Sequence, residues 1–356
     1  MPSKTVTSGI SGVSVLCGPS VNLEFTVCGE LPKGNLNWDE KNLVRRVEHY
    51  FTAEGKCFFR VHLFEDVDPV LIPIEGSPTE TPAGSSVNVA MAMKKWNFPV
   101  GVFAPIGPGG GAATISLSLQ NAGIETAFFN GMASTPRTLT VIMKEGGSRL
   151  FMVKPHYTLP EDVLPRLQDV CPPVFVATGV KPQDLPLMVP LFKRKIGDFR
   201  ALIPSKDLIF HPELREQLLI LTMHSDLLQL NEGEAKALLA IPSESLFTVD
   251  NLKLLQKYTH AAMVVVTLAD RGAMLYDSMG DQVFVEEGTR YVVDSSGAGD
   301  THLSALVYAM FLKGEPLDCG KAMKLARFVA GKKCQHVGPW NGLPSLWEMK
   351  NFLGEA

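Results

Sequence analysis

A chain of 356 residues with 46% apolar content can bury a full core, as one large elaborated domain or as two, and is not a disordered polymer. Its net charge of -4, with acidic and basic residues interspersed, offers no basic surface for nucleic acid or membrane lipid and leaves small neutral or anionic ligands open. The cysteines at 17, 28, 57, 171, 319 and 334 form no C-x-x-C pair, so reduced thiols are expected rather than a zinc site or a disulfide framework.

The first twelve residues are polar, without an apolar signal core, and are expected to be flexible; the protein is expected to be cytoplasmic. VSVLCG (13–18) reads as the first buried strand. Residues 26–82 break the pattern that follows. Within them, NWDEKNLVRRVEHYF (37–51) predicts a short amphipathic helix, with Asn37 as N-cap, Glu40 three residues on, and Leu43, Val47, Tyr50 and Phe51 on one face.

From residue 85 the chain alternates. SSVNVAMAMKKW (85–96), ISLSLQNAG (115–123) and EGEAKALLA (232–240) predict helices, while PVGVFAPIG (99–107), VFVATGV (174–180), DLLQL (226–230) and MVVVTLA (263–269) predict strands buried on both faces. The strongest apolar run, AAMVVVTLA (261–269), is too short to span a bilayer. TPRTLTVIMKEGGSRLFMVKP (135–155) predicts a hairpin joined at Glu145, Gly146 and Gly147. The alternation implies an α/β fold with a mostly parallel central sheet flanked by helices, whose ligands gather at the carboxyl ends of the strands. Residues 13–25, 83–130 and 156–356 are assigned to that core, and 26–82 and 131–155 to a small β-rich lid.

VVDSSGAGDTHLSALVYAMF (292–311) hands a β-type run over to a helix through a knot of small residues. A helix N-terminus presents unpaired N–H groups and the positive end of its dipole, and Gly297, Ala298 and Gly299 let an anion approach that backbone closely. Leu303, Leu306, Val307, Met310 and Phe311 recur at helical spacing and dock the helix, placing Asp300 in its first turn. A carboxylate there is well placed to take a proton from a hydroxyl attacking a bound phosphoryl group. The same residues would also serve as a plain helix cap and turn.

The stretch resembles the signature of the ribokinase-like (PfkB) carbohydrate kinases, Asp-Thr-x-Gly-Ala-Gly-Asp before a helix, present as Asp294, Ser295, Ser296, Gly297, Ala298, Gly299 and Asp300. PAGSSVNVAMAMKKW is similar to a second signature, Gly-Gly-x-x-x-Asn-x-Ala, keeping Gly84, Asn88 and Ala90 with Ala83 for the first glycine. Asn231 to Glu234 in LLQLNEGEA matches a third, Asn-x-x-Glu after a buried strand. With GPSVNLE near the start and TLADRGA at 267–273, the resemblance runs over residues 13–345 in the family's order.

The resemblance implies a ribokinase-like fold and an ATP-dependent kinase acting on a hydroxyl of a sugar or sugar-like molecule. Asp300 would be the general base, with the N–H groups of Gly297, Ala298, Gly299 and Asp300 as the anion hole. Asn231 and Glu234 would organise Mg²⁺ through water, and Asp294 would lie beside a K⁺ site. Asn22, Glu24, Gly84 and Asn88 match substrate-hydroxyl positions, with Glu24 where sugar kinases of this type carry Asp. Thr267 and Gly272 match the phosphate and ribose side of the nucleotide, and Arg327 and His336 fall on its adenine side. Arg137 lies near an arginine that some phosphosugar-using members carry, although an arginine on such a strand is more often a solvated edge residue. The lid stretch is about twice the family's usual length, which implies substrate closure, a homodimer through the lid, or both.

Other patterns carry less. IGPGGGAA (106–113) has the glycines of a dinucleotide fingerprint, but Pro108 interrupts them and no acidic residue follows at the expected distance. VAGKK (329–333) lacks the earlier glycine and following hydroxyl of a P-loop. His302 reads first as a helix-face or core histidine, and Met91, Met93, Met310 and Met323 as core filling. Three alternatives stay open: a nucleoside kinase, a phosphosugar kinase, and a catalytically silent binding or scaffold member, the last suggested by Ala83, Ala269, Glu24 and Pro108.

Overall fold

The computed structural model describes residues 13–29, 44–51, 57–63, 70–130, 135, 137–143, 148–152, 163–168, 172–288 and 291–355. In chain order the strands are β1 Val15–Pro19, β2 Asn22–Gly29, β3 Val44–Phe51, β4 Cys57–Leu63, β5 Val70–Ala83, β6 Val100–Ile106, β7 Glu125–Asn130 and β8 Arg137–Met143. They continue with β9 Ser148–Met152, β10 Val174–Val180, β11 Phe199–Pro204, β12 Leu227–Asn231, β13 Met263–Thr267, β14 Ala273–Asp277 and β15 Gln282–Glu286. The helices are α1 Ser85–Lys95, α2 Gly110–Asn121, α3 Val163–Gln168, α4 Leu185–Lys193, α5 Lys206–Ile209, α6 Arg215–Met223, α7 Glu232–Leu239, α8 Val249–Thr259, α9 Ala298–Val307, α10 Cys319–Cys334 and α11 Leu346–Phe352.

Nine strands form one sheet in the order β15-β14-β13-β12-β11-β10-β1-β6-β7, parallel from β13 to β7 and closed at one edge by the antiparallel pair β14 and β15. The apolar runs sit where their composition demands. β1 and β6 are buried along their whole length, and β10 and β11 at all but one residue each, because helices cover both faces. On one face α1, α9 and α10 enclose Val87, Met93, Leu303, Leu306 and Val329; on the other, Leu187, Leu218 and Leu252 from α4, α6 and α8 pack against Phe175 and Val264. The carboxyl ends of the parallel strands therefore open onto one crevice, with β1 at the change in chain direction between β10 and β6.

A second sheet has the order β3-β4-β5-β2-β8-β9. β8 and β9 pair antiparallel as the hairpin expected of residues 135–155, though its Glu145-Gly146-Gly147 turn lies outside the described residues. β5 reaches Ala83, next to the start of α1, and pairs there with Asn22 of β2.

One expectation is corrected. The segment read as a helix over 37–51 is strand β3 from Val44 to Phe51, paired antiparallel with β4, while Asn37, Glu40 and Leu43 lie outside the described residues. VRRVEHYF is rich in β-branched and aromatic residues, and the partner CFFRVHL supplies a ladder that local helical spacing cannot match. From Arg46 to Phe51 the ladder with β4 is unbroken, so Val47 and Phe51 share one face of the strand and Tyr50 takes the other.

Candidate active site

Two helices begin at the carboxyl ends of the sheet with their first turns in the crevice. α9 follows Gly297, whose φ is 71°; a Cβ there would stand 2.1 Å from the Pro339 carbonyl oxygen, so glycine is required. No side chain caps this end. The Ala298 N–H donates to Ser295 O at 3.1 Å, while the N–H groups of Gly299 and Asp300 make no hydrogen bond among the described residues. These are the orphan donors of a helix start, with the positive end of its dipole.

Asp300 lies in that first turn, almost wholly buried. Its Oδ2 accepts from Asn88 Nδ2 at 2.7 Å. Burial pushes its carboxyl above the ordinary aspartate value; hydrogen bonds from Asn88 and Ser85, and the charge of Lys333, pull back without cancelling the effect. Asn88 comes from the buried face of α1, which begins after Gly84 at φ 95°, where a Cβ would meet Ser20 O at 2.6 Å. The start of α1 is pinned further by Ser20 N–H to Ser86 Oγ at 2.9 Å and by Ser86 Oγ with Thr178 Oγ1 at 2.9 Å. Asn88 Oδ1 is buried without a hydrogen-bond partner among the described residues, as is Thr138 Oγ1 on β8. Such orphaned acceptors are costly unless a ligand or water meets them.

The opposite side of the α9 start lines a cavity of about 340 Å³. Its wall includes Thr267, Gly272, Ser295, Ala298, Gly299, His302 and Arg327. Gly272, at φ 101°, admits the Glu286 carbonyl, which a Cβ would meet at 1.8 Å. Arg327 pairs with Glu286 at 3.6 Å. Gln229 on β12 braces this wall: its Nε2 donates to Gly299 O at 2.8 Å, which orients Oε1 toward His302 Nδ1 at 3.0 Å. His302 Nδ1 is then the donor, and Nε2 is an unprotonated, buried acceptor without a partner among the described residues. Desolvation lowers His302 to about 4, so the ring is neutral.

α7 begins differently. Asn231 Oδ1 accepts from Glu234 N–H and Glu234 Oε2 accepts from Asn231 N–H, both at 2.9 Å, a reciprocal capping box. Desolvation raises Glu234 to about 7 against the lowering effect of those bonds and of Lys206. Asn231 pairs in register with Thr267, so the box adjoins the cavity wall without forming it. Glu232, one residue on, is ion-paired with Lys236 at 2.8 Å and with Arg271.

The residues singled out from sequence therefore separate. Asp300, Gly297, Ala298, Gly299, Gly84 and Asn88 meet at the α9 start; Thr267, Gly272 and Arg327 line the cavity. His336 is exposed beyond the end of α10 and does not line it. Asn22 and Glu24 lie on β2, where Glu24 pairs with Thr138 and Leu23 with Arg137, so Arg137 is one register step out of phase with them. Sequence reasoning missed Gln229, Thr138 and Lys333. Gln229 is signalled by a polar residue inside the apolar strand LLQLN, and Lys333 by its place on the buried stripe Ala322, Ala326, Val329, Lys333.

The pfkB family of carbohydrate kinases matches residues 55–346. The chain belongs to that family. It is accordingly a phosphotransferase of the carbohydrate-kinase type. No curated protein matches the sequence. Among solved structures, ribokinase from Giardia lamblia is similar at 15% identity and TM-score 0.70, covering 96% of this chain and 99% of that one. A nucleoside kinase of the ribokinase family from Methanocaldococcus jannaschii superposes at 16% identity and TM-score 0.64, over 98% and 100% of the two chains. Phosphofructokinase-2 from Escherichia coli, in complex with potassium, does so at 16% identity and TM-score 0.66, over 96% and 98%. At these identities the likeness is one of fold. Among the described residues of this pfkB chain, no helix is long and apolar enough to cross a membrane.

Proposed function

We propose that this pfkB protein transfers the γ-phosphoryl group of ATP to a hydroxyl of a sugar or sugar-like small molecule, with Asp300 as general base. The observation that carries this reading is a buried carboxylate, held by Asn88, in the first turn of an uncapped helix beside N–H groups without partners. An acceptor hydroxyl on the Asn88 side gives its proton to Asp300 as its oxygen attacks the γ-phosphorus, the bond from that phosphorus to the β–γ bridging oxygen breaks and ADP leaves, and the Gly299 and Asp300 N–H groups receive the phosphoryl oxygens. Asn88 Oδ1 and Thr138 Oγ1, both without a partner among the described residues, suit a polyhydroxylated acceptor, and Asn22 and Glu24 are assigned to it from β2, where Glu24 is in register with Thr138.

The cavity on the other side of α9 is assigned to the nucleotide, with Thr267 and Gly272 toward its phosphates and ribose and Arg327 toward its base. No group of three or more histidine, cysteine, aspartate or glutamate residues with metal-site geometry occurs among the described residues. Mg²⁺ takes much of its shell from phosphates and water, and Asn231 and Glu234 would hold it through water. When bound, it would neutralise charge on the transferred phosphoryl group. The six-stranded sheet is assigned as the lid, since β2 and β5 meet at the start of α1 and Trp340 Nε1 donates to Pro82 O at 3.1 Å. Pairing of two such sheets would give a homodimer.

A screen of acceptor-dependent ADP release across pentoses, hexoses, nucleosides and sugar phosphates tests the assignment. Release with a sugar or sugar alcohol, lost in Asp300→Asn, is the expected result. Release with nucleosides alone would move the acceptor class, and calorimetry without Mg²⁺-nucleotide binding would replace the kinase by a silent binding protein.

A further inference from the structure

The turn before α9 carries a cation of the chain's own. Lys333, on the last turn of α10, is fully out of solvent. Its Nζ donates to the Asp294 carbonyl oxygen at 2.8 Å and stands 3.9 Å from Asp294 Oδ2. Asp294 is itself buried, and its carboxylate is already engaged: Oδ1 accepts from Ser296 N–H at 2.9 Å and Oδ2 from Gly338 N–H at 2.8 Å. Backbone bonds run beside these, from Val293 and Asp294 N–H to Cys334 O at 2.8 and 3.1 Å.

The segment entering α9 and the segment leaving α10 are thus stitched into one unit, closed by the approach of Pro339 O to Gly297. An ammonium taken fully out of water is costly unless charged and carbonyl oxygens surround it, so its place here follows from Asp294. A monovalent metal ion at Asp294 would require those same oxygens. The donor set does not fit one, because the lysine nitrogen already holds the carbonyl and faces the carboxylate.

We propose that Lys333 is a tethered cation standing in place of a bound monovalent ion beneath the anion-binding turn, so that this kinase works without potassium. Lys333 acts as a positioning residue through Asp294. It fixes the turn that presents the Gly299 and Asp300 N–H groups, and its positive charge favours both an incoming phosphoryl group and the ionised form of Asp300. Burial acts to raise the Asp294 carboxyl, and Lys333 with the Ser296 and Gly338 N–H groups outweighs it, so Asp294 stays charged as the lysine's counter-ion. The catalytic consequence rests on the kinase reading above; the occupancy of the site by Lys333 does not.

The test compares potassium, sodium and choline chlorides at equal ionic strength, reading both the thermal midpoint of the ligand-free full chain and acceptor-dependent ADP release. For the wild type the expected result is no difference between the salts in either readout. Lys333→Ala, which opens the volume, is expected to lose activity on the order of 10²-fold in choline and to regain both activity and midpoint in potassium. Lys333→Met, which fills the volume without charge, is expected to lose activity in every salt. Severalfold stimulation or clear stabilisation of the wild type by potassium overturns the proposal, as does a Lys333→Ala variant fully active in choline. If Lys333→Ala does not fold, the wild-type salt comparison decides alone. If no acceptor is phosphorylated at all, the kinase reading falls while the thermal comparison still reads the site.

Discussion

The N-termini of α7 and α9 lie at the same end of the sheet and satisfy their backbones in opposite ways. α7 closes on itself through Asn231 and Glu234, so it spends those side chains on its own donors. α9 has a glycine at its N-cap and no side-chain cap, so its donors stay available to a ligand. An uncapped end suits a phosphate, whereas a self-capped end has fewer donors left to offer one. Gln229 joins the two: two residues before Asn231, it holds the Gly299 carbonyl and the His302 ring.

The contrast can be broken experimentally, beginning at α9. Asn88→Ala removes the donor to Asp300 and should lower kcat/KM by about 10²-fold. It should also move the acid limb of the pH profile upward. The base must be ionised, burial already raises it, and losing a bond that lowers it raises it further, so activity is lost at a higher pH as pH falls. An unmoved acid limb would detach Asn88 from the base.

Gly299→Ala separates structure from function. The added Cβ would meet nothing closer than Gln229 Nε2 at 3.7 Å, so the first turn accepts it and a less flexible unfolded chain gives up to about 1 kcal/mol of stability. The same methyl group stands on the cavity wall and should cost about 10- to 100-fold in kcat/KM. A variant more stable and equally active would mean that the glycine only serves the turn.

At α7, Asn231→Ala should cost about 1 kcal/mol in denaturant unfolding through the lost cap, a cost without counterpart at Gly297. At the link the expected effect is confined to acid pH. His302 is held near 4 when folded and titrates near 6.5 when unfolded, so the unfolded chain takes up the proton first as pH falls. Its contribution is complete above about 6.5 and drains toward about 4. His302→Phe should make stability fall less steeply between those values, read from urea unfolding at several pH values.

Much of this was legible in the sequence. Gly297 to Asp300, Asn88 and the Asn231-Glu234 pair are local patterns, and buried strands such as VFVATGV have no other place to go than a sheet covered on both faces. What escaped depends on partners far along the chain. The β3 segment shows helical spacing alone and becomes a strand only against β4. VAGKK looked like a failed phosphate loop, yet it is the body and last turn of α10, and its Lys333 gains meaning from Asp294, 39 residues earlier. Gln229 likewise acquires its role from residues 70 and 73 positions away.

The central claim is that Asp300 takes the proton of the acceptor hydroxyl. Asp300→Asn keeps the shape and removes the charge that burial already disfavours, so the folded protein should survive with an unchanged or raised thermal midpoint. Its acceptor-dependent ADP release should fall by roughly 10²- to 10⁴-fold. Release at a near-normal rate from the folded variant would contradict the account.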